Sequence, residues 1–234
     1  MAHDPADSAA AFAELGRIKL GETDLNGVLD RVADLAQRTL PGAAQVSITL
    51  IRDGAAHTPA HTGEMALRLD AWQYEQDHGP SLEAAAQKTT VYVADAAGDD
   101  RWGDWPTRAA MCGAGSMLSV GLPIVENVSG ALNIYSKSAR AFDEEAIAMA
   151  QTFVRYAAVA LANAHLYDTT AALAGHMQAA MESRAVIEQA KGIIMGERRC
   201  TADEAFAILT KVSQDTNRKL RDVAATLVER TQRG

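Results

Sequence analysis

Two runs of alternating residues decide the fold of this chain: Ser116-Met117-Leu118-Ser119-Val120-Gly121-Leu122-Pro123-Ile124-Val125 and Ala131-Leu132-Asn133-Ile134-Tyr135. Apolar side chains recur at every second position, which is the period of a β-strand. The short connection from Asn127 to Gly130 is rich in turn-forming residues. The two runs therefore predict a β-hairpin of antiparallel strands.

A second hairpin is expected closer to the N-terminus. Val46, Ile48 and Leu50 alternate with polar residues, so we expect a half-buried strand with one face toward solvent. Asp53-Gly54 is a strong hairpin turn signal, and residues 55–62 follow as the partner strand. Thr90 to Val93 indicates one further strand.

Helices are predicted around these strands. The expected ranges are Ala6 to Leu20, Leu25 to Leu40 with Thr23 or Asp24 as its cap, Glu64 to Gln76 as a helix or loop, and Leu82 to Gln87 capped by Ser81. Residues 98–106 are polar and predict an irregular loop. Hairpins with helices grouped around them indicate an α+β domain built on an antiparallel sheet.

A long helix is predicted from Asp143, since few helix breakers occur before Gly192. One apolar position recurs every seven residues, at Leu166, Leu173, Ala180, Ile187 and Ile194. The companion position carries polar residues, so two interpretations stand. The helix packs on its own domain, or it joins two chains as a parallel dimer through Leu166, Leu173 and Ile187.

The tail predicts a small bundle of three helices. Thr201-Ala202-Asp203-Glu204 forms a capping box, and Ala205, Phe206, Leu209 and Val212 share one face of the second helix. Asn217 is expected to cap the third helix. Its apolar stripe is Leu220, Val223, Ala224, Leu227 and Val228.

Composition bounds the function. The 234 residues are 48% hydrophobic and 22% charged, which is enough apolar material for a core. Neither a signal peptide nor a membrane helix is expected, and two isolated cysteines fit a reducing cytoplasm. Residues 1–175 carry a net charge of 12 − 22 = −10, whereas residues 176–234 carry 10 − 8 = +2. This asymmetry favours two modules with different partners.

No catalytic or metal site is expected. His57 and His61 lack a carboxylate that would complete a metal site, and Asp99-Asp100 with Asp104 lacks a defined cation-binding loop. Cys112 is expected to be buried and inert, and Arg198-Arg199 gives Cys200 slightly more thiolate character. A redox role for either thiol stays open.

The stretch from Ser183 to Met195, SRAVIEQAKGIIM, resembles the opening helix of the ANTAR domain. The resemblance continues through Asp203-Glu204-Ala205-Phe206 with Leu209, and ends with NRKLRDVA from Asn217 to Ala224. ANTAR domains are RNA-binding modules of bacterial antitermination regulators. The resemblance implies a dimer that binds paired stem-loops in a leader transcript.

The preceding region resembles a GAF domain of the type found with ANTAR domains in actinobacteria. The similarity rests on GPSLEA at 79–84, DDRW at 99–102, GSMLSV at 115–120 and GALNIYS at 130–136. It implies a small-molecule sensor with a pocket on one face of the sheet. No cofactor is assigned, because the bilin and cyclic-nucleotide signatures are missing. The predicted domains are 1–23 (helical segment), 24–164 (GAF), 165–175 (helical linker) and 176–234 (ANTAR).

The resemblance also places candidate site residues. RNA is expected to meet basic side chains on the bundle, although Arg184 could instead pair with Glu188; the candidates are Arg184, Lys191, Lys211, Arg218, Lys219 and Arg221. Over the sheet, Trp72, Tyr74, Trp102 and Trp105 line a ligand cavity or form a closed lid. We expect the lid, since no converging polar groups are visible in the sequence.

Two functions of different class follow. The first is an RNA-binding antitermination regulator whose GAF domain senses a small molecule. The second is a dimeric ligand-sensing signalling protein whose C-terminal bundle binds a protein partner. Salt-dependent RNA binding separates them, because phosphate contacts release counterions.

Overall fold

The computed structural model describes residues 5–18, 23–125 and 128–232. The chain divides into two compact units, Met1–Asp168 and Thr169–Gly234. In the described residues, no helix is both long enough and apolar enough to cross a membrane.

The first unit is built on a five-stranded antiparallel sheet with strand order β2-β1-β5-β4-β3. The strands are β1 Gln45–Arg52, β2 Ala55–His61, β3 Thr90–Val93, β4 Ser116–Val125 and β5 Val128–Ser136. Both predicted hairpins are present. β5 starts at Val128, so Val128 to Gly130 belong to the strand and not to the predicted turn, and Asn127 lies outside the described residues.

In the part of this unit that the structure describes, six helices lie wholly or in part: α1 Pro5–Leu15, α2 Leu25–Thr39, α3 Glu64–Gln76, α4 Pro80–Gln87, α5 Trp105–Cys112 and α6 Glu144–Arg198. Asp24 is the cap of α2, since its carboxylate accepts the Gly27 N–H at 2.9 Å. Asp143 caps α6 through the Ala146 N–H at 2.8 Å.

Two helix predictions are wrong in detail. Ser81 is not the cap of α4, because Gly79 is the cap and Pro80 occupies the first turn. Proline suits that position because an N–H there has no partner within the helix. The predicted irregular loop ends early, since α5 begins at Trp105 with Pro106 in its first turn.

One face of the sheet is apolar and carries the larger core. Val46, Ile48 and Leu50 of β1 pack with alternate residues of β4 and β5 beneath α2 and the first part of α6. α1 joins the same core through Ala11 and Leu15. The predicted N-terminal helix thus contributes to the first unit's core, and the part of its range from 19 to 20 lies outside the described residues.

The opposite face of the sheet is polar and is also buried. Ser47 and Thr49 are fully covered, so the prediction that β1 has a solvent face is wrong. The Asn133 amide donates to Thr49 Oγ1 at 2.8 Å and to Ser47 Oγ at 3.2 Å, and it accepts from Ser119 Oγ at 3.0 Å. Buried polar groups satisfied in this way do not need water.

The second unit is a helical bundle made by the end of α6 with α7 Ala202–Thr216 and α8 Leu220–Gln232. The predicted capping box of Thr201 and Glu204 is present at the start of α7. The core of the bundle contains the predicted apolar stripe of α8 together with residues of α6 and α7. Its buried members are Ala190, Ile194, Ala205, Leu209, Val223 and Ala224.

Two predictions for the bundle are wrong. Phe206 and Val212 are 44% and 41% exposed, because α7 is rotated so that Ala205, Ile208 and Leu209 face the core. Asn217 ends α7 in the left-handed conformation and does not begin α8. Asparagine tolerates that backbone conformation better than most residues.

Candidate functional site

A buried carboxyl group lies between α3 and the polar face of the sheet. Asp70 Oδ1 accepts the Tyr135 hydroxyl, and Asp70 Oδ2 accepts Thr58 Oγ1 at 2.8 Å. Burial raises the pKa of Asp70 to about 6, against the opposing effect of hydrogen bonds from Tyr135, Ser47 and Thr58. Because desolvation disfavours the ionised form, this group holds a proton more firmly than an exposed aspartate.

Tyr74 connects this carboxyl group to a cavity. Its hydroxyl lies 2.7 Å from Thr58 Oγ1 and 2.9 Å from Thr49 Oγ1. Burial and the neighbouring charge of Asp70 raise the pKa of Tyr74 well above its usual value. The side chain therefore stays neutral, with its hydroxyl in the buried network while Tyr74 also lines a cavity.

The cavity has a volume of about 550 Å³ and opens to solvent. It lies between the β1–β2 turn, the end of α3, the start of α4 and Trp102. Its charged or polar lining residues are Asp77, His78 and Glu83. Glu83 is fixed in place because its Oε2 accepts Trp102 Nε1 at 3.2 Å.

The four aromatic residues predicted over the sheet differ in how far they are covered. Trp72, Trp102 and Trp105 are buried in the smaller core, and the ring centroids of Trp72 and Trp105 lie 5.8 Å apart. Tyr74 is half-buried, and it lines the open cavity together with Trp102, which is only 5% exposed. The cavity opens to solvent beside Tyr74, so the expectation of a lid closed over the whole site is wrong there.

In the acidic loop after β3, the carboxylate of Asp99 forms an ion pair with the side chain of Arg101. Arg101 donates to both carboxylate oxygens of Asp99, at 2.8 and 2.6 Å, and its guanidinium carbon lies 4.2 Å from the centroid of a Trp102 ring. The hydrogen bond with Arg101 lowers the pKa of Asp99. In the described part of the chain, no group of three His, Cys, Asp or Glu residues could hold a metal ion.

The predicted RNA-binding residues of the second unit differ in how they are engaged. Lys191 is largely covered, with 16% of its side chain exposed, and it binds both carboxylate oxygens of Glu188 at 2.9 and 3.0 Å. Glu188 thus pairs with Lys191, and the proposed pairing of Arg184 with Glu188 is wrong. Lys211 lies 3.5 Å from Asp215.

The turn between α7 and α8 carries further cations. Arg218 donates to Thr226 Oγ1 at 2.9 Å and to the Asp222 carbonyl at 3.3 Å, which holds its side chain along α8. Arg221 lies 3.5 Å from Asp222. The side chains of Arg184 and Lys219 are exposed and make no hydrogen bond or ion pair with any described residue.

Helix lengths place several of these cations at one end of the bundle. α7 has 15 residues and spans about 22 Å, which is the rise of α6 from about residue 184 to its end at Arg198. If the helices joined by these short turns run antiparallel, as in most bundles, the α7–α8 turn returns to about the level of Arg184; we infer this placement from the helix lengths. We call the set Arg184, Arg218, Lys219 and Arg221 the basic end.

Three other cations among the described residues of this unit are not among the sequence-based candidates. Arg198 and Arg199 lie at the α6–α7 connection, and Arg230 lies near the end of α8. All three are exposed. The sequence could have indicated Arg198 and Arg199 as exposed cations. They lie just before the capping box, and side chains in a connection between helices usually face solvent. These cations belong to other parts of the bundle surface than the basic end.

The residues of the seven-residue repeat of α6 differ in burial. Leu166 and Leu173 are 65% and 59% exposed. Ile187 packs against the bundle core, and Ile194 is part of that core. The later members of the repeat are therefore used within the chain, and Ile187 contributes to the bundle in addition to any role in a dimer.

Comparison with known structures shows the fold of the first unit. Free methionine-R-sulfoxide reductase from Neisseria meningitidis, in complex with its substrate, has 15% identity and a TM-score of 0.53, with 73% of this chain and 96% of that chain covered. A GAF domain of a phosphoenolpyruvate-protein phosphotransferase from Coxiella burnetii has 18% identity and a TM-score of 0.52, covering 70% and 98%. The phycoerythrobilin-bound GAF domain of a cyanobacterial phytochrome has 14% identity and a TM-score of 0.52, covering 68% and 96%.

Comparison of the sequence with domain families gives two matches. Residues 22–162 match the GAF domain family, and residues 175–228 match the ANTAR domain. No curated protein sequence matches the chain at a significant level. The GAF match covers more than half of the chain and coincides with the sheet and its helices. The chain therefore belongs to the GAF domain family and carries a C-terminal ANTAR domain, the architecture of a sensory regulator.

Proposed function

We propose that the protein binds RNA stem-loops in nascent transcripts through the basic end of its ANTAR domain and thereby prevents transcription termination. The GAF domain is a sensory domain type, and the ANTAR domain is an RNA-binding antitermination domain type. The single observation that supports the RNA surface is the group of three cations, Arg218, Lys219 and Arg221, at the α7–α8 turn, to which the helix lengths add Arg184.

The chemistry of these side chains suits RNA. Arginine has a planar guanidinium that contacts phosphate in a bidentate manner and stacks on exposed bases. Loops of RNA hairpins present unstacked bases for such contacts. Arg184 and Lys219 are available because no described residue engages them, whereas Lys191 would have to leave Glu188. We therefore expect Lys191 to contribute less than Arg184, Lys219 and Arg218.

The proposed active form is a homodimer joined through α6. Residues 171–182 expose every side chain, although a short helical segment with no packed face has little stability in water. Val159, Leu166 and Leu173 recur every seven residues and are 61%, 65% and 59% exposed. This spacing fits the same face of a second copy of α6.

We further propose a regulatory, non-catalytic role in the cytoplasm, where nascent bacterial transcripts are found. A small molecule bound by the GAF domain would set the activity of the ANTAR domain. The sensory site that we assign to this ligand is the open cavity beside Tyr74.

A protein partner of the bundle is the second candidate function. Phe206 and Val212 leave 44% and 41% of their surface exposed on the outer side of α7. Exposed apolar groups of this kind favour protein contacts over contacts with phosphate.

Crosslinking in cells followed by sequencing of the bound RNA tests the proposed function. We expect enrichment of leader transcripts that contain two neighbouring stem-loops. Recovery of no RNA above the background of an uncrosslinked sample would contradict the RNA-binding function. Recovery of a stoichiometric protein that contacts Phe206 would instead favour the protein-partner function.

A further inference from the structure

The open cavity of the GAF domain has a lining that favours one kind of charge. We propose that it binds an organic cation through an ammonium head group. This inference rests on the sensory role proposed above and names the ligand class of that site. The volume of about 550 Å³ lies in the range of small-molecule sites.

The fixed charges at the cavity are negative. Asp77 and Glu83 line it, and none of the described lining residues is lysine or arginine. The Arg101 guanidinium on Trp102 interacts electrostatically with Glu83, but Asp99 already pairs with it at 2.6 Å. The terminal carbonyls of α3 are largely engaged, because Gln73 and Tyr74 accept the Asp77 N–H and the Gln76 carbonyl lies 2.8 Å from His78 Nδ1. A bound cation would therefore meet favourable charge from the two carboxylates.

The start of α4 does not offset this charge by offering an anion site. Pro80 has no N–H group, and the Ser81 N–H already donates to Gln73 Oε1 at 2.8 Å. The Glu83 N–H donates to the Gly79 carbonyl at 2.9 Å. A helix N-terminus binds anions through free N–H groups, and these groups are largely engaged here.

Aromatic side chains and an acceptor nitrogen complete the lining. Tyr74 and Trp102 supply rings of the kind that attract cations. The Arg101 guanidinium carbon lies 4.2 Å from the centroid of a Trp102 ring and covers that face, so Tyr74 is the ring that we assign to the ligand cation. His78 Nδ1 lies 2.8 Å from the Gln76 carbonyl, and the proton on that nitrogen leaves Nε2 as an acceptor in the neutral ring.

Tyr74 links the cavity to the interior of the domain. Its hydroxyl contacts Thr58, which in turn donates to Asp70. Tyr74 therefore belongs both to the cavity wall and to a hydrogen-bond chain that reaches the centre of the sheet. The ligand site is thus connected to the buried network of the sensor.

Choline provides a sharp test, because 3,3-dimethylbutan-1-ol has the same shape without the charge. Binding to the full chain is measured by calorimetry and by tryptophan fluorescence. We expect saturable choline binding and an affinity for the neutral alcohol that is about tenfold weaker. Equal affinity for the two probes, or no choline binding at millimolar concentrations, would overturn the proposal.

A variant pair locates the site. Glu83→Gln removes the charge but keeps a carbonyl oxygen for Trp102 Nε1, and we expect choline affinity to fall about fivefold. Glu75→Gln is the matched control, because it removes the same charge from an exposed position of α3 outside the cavity. Identical affinities for the two variants would overturn the assignment. RNA affinity is measured on the same samples without choline, so failure of the proposed RNA function would be seen separately.

Discussion

At the scale of single residues, Asp70 is the group through which pH acts most directly on the GAF domain. It is fully buried, and Tyr135, Thr58 and Ser47 donate hydrogen bonds to it. A buried carboxyl group costs less free energy when it is protonated than when it is ionised. The folded protein therefore binds this proton more tightly than the unfolded chain does.

This difference predicts how stability depends on pH. The pKa of Asp70 is raised from 3.8 to about 6, so between these values the folded state keeps the proton and the unfolded state has lost it. Stability then falls as pH rises through this window, by about 3 kcal/mol in total, and is constant above it. The measurement is the unfolding free energy of the first unit, obtained by chemical denaturation at several pH values from 4 to 7.5.

The Asp70→Asn variant isolates the effect from other carboxyl groups. We expect the unfolding free energy of the wild type, minus that of Asp70→Asn, to fall as pH rises from 4 to 6. Asp34→Asn, at an exposed position of α2, is the control and should retain the fall seen in the wild type. A wild-type-minus-Asp70→Asn difference that stays constant with pH would contradict this account of the carboxyl group.

At the scale of elements, the structure separates what local sequence specifies from what packing decides. The hairpin turn at Asp53-Gly54 and the capping box at Thr201 were predictable, because each depends on neighbouring residues only. The burial of Ser47 and Thr49 was not predictable from the sequence. A strand that alternates apolar and polar residues has the same pattern whether its polar face meets water or is covered by a helix. The tertiary cover of α3 to α5 decides this case.

The rotation of α7 shows the same limit. Apolar residues at 205, 206, 208, 209 and 212 are compatible with more than one buried face. The face of α7 that is buried carries Ala205 and Leu209, and Ile208 beside them is half-buried. The identity of the core-facing side depends on how α6 and α8 pack against it, which the α7 sequence does not contain.

This rotation predicts unequal effects of two truncations in α7. Leu209→Ala should destabilise the bundle by about 2–5 kcal/mol, because it opens a cavity in the core. Phe206→Ala should cost about 1 kcal/mol, since its ring is 44% exposed. Hydrogen exchange of the α7 amides in the full chain measures both effects. Greater loss of protection in Phe206→Ala than in Leu209→Ala would show that the rotation is wrong.

The exposed part of α6 gives a prediction about assembly. Leu173→Glu places a charge in the apolar face proposed to meet a second chain, where desolvating that charge is costly. We expect light scattering to give a mass near twice 24.9 kDa for the wild type and near 24.9 kDa for the variant.

Ala171→Glu is the matched control for this substitution. Residue 171 is exposed and lies two positions before Leu173, away from the seven-residue repeat. The same charge there should leave the dimer intact. A folded Leu173→Glu protein that remains a dimer would remove this face from the interface.

At the scale of the whole molecule, two units of different character share one helix. The first unit contains a buried polar network and a cavity with acidic lining, and the second carries cations around a helical turn. The charge asymmetry of the sequence predicted this division. It did not predict which cations are available, because ion pairs such as Lys191 with Glu188 depend on side-chain placement.

The seven-residue repeat had a mixed outcome for the same reason. Its sequence is equally compatible with packing inside a chain and with packing between chains. Ile187 and Ile194 serve the bundle, whereas Leu166 and Leu173 are exposed. Tertiary contacts, and not the periodicity, decide the use of each position.

The most direct test of the central claim is the salt dependence of RNA binding. The measurement compares the affinity of the full chain for an RNA with two stem-loops in the wild type and in the triple variant Arg184→Ala, Arg218→Ala and Lys219→Ala. Each lost phosphate contact should reduce the slope of log affinity against log salt by about one unit. Lys211→Ala, which removes a cation that Asp215 already pairs with on α7, should have a smaller effect. We predict weaker binding and a slope reduced by about three units in the triple variant; a folded triple variant with wild-type affinity and slope would contradict the claim.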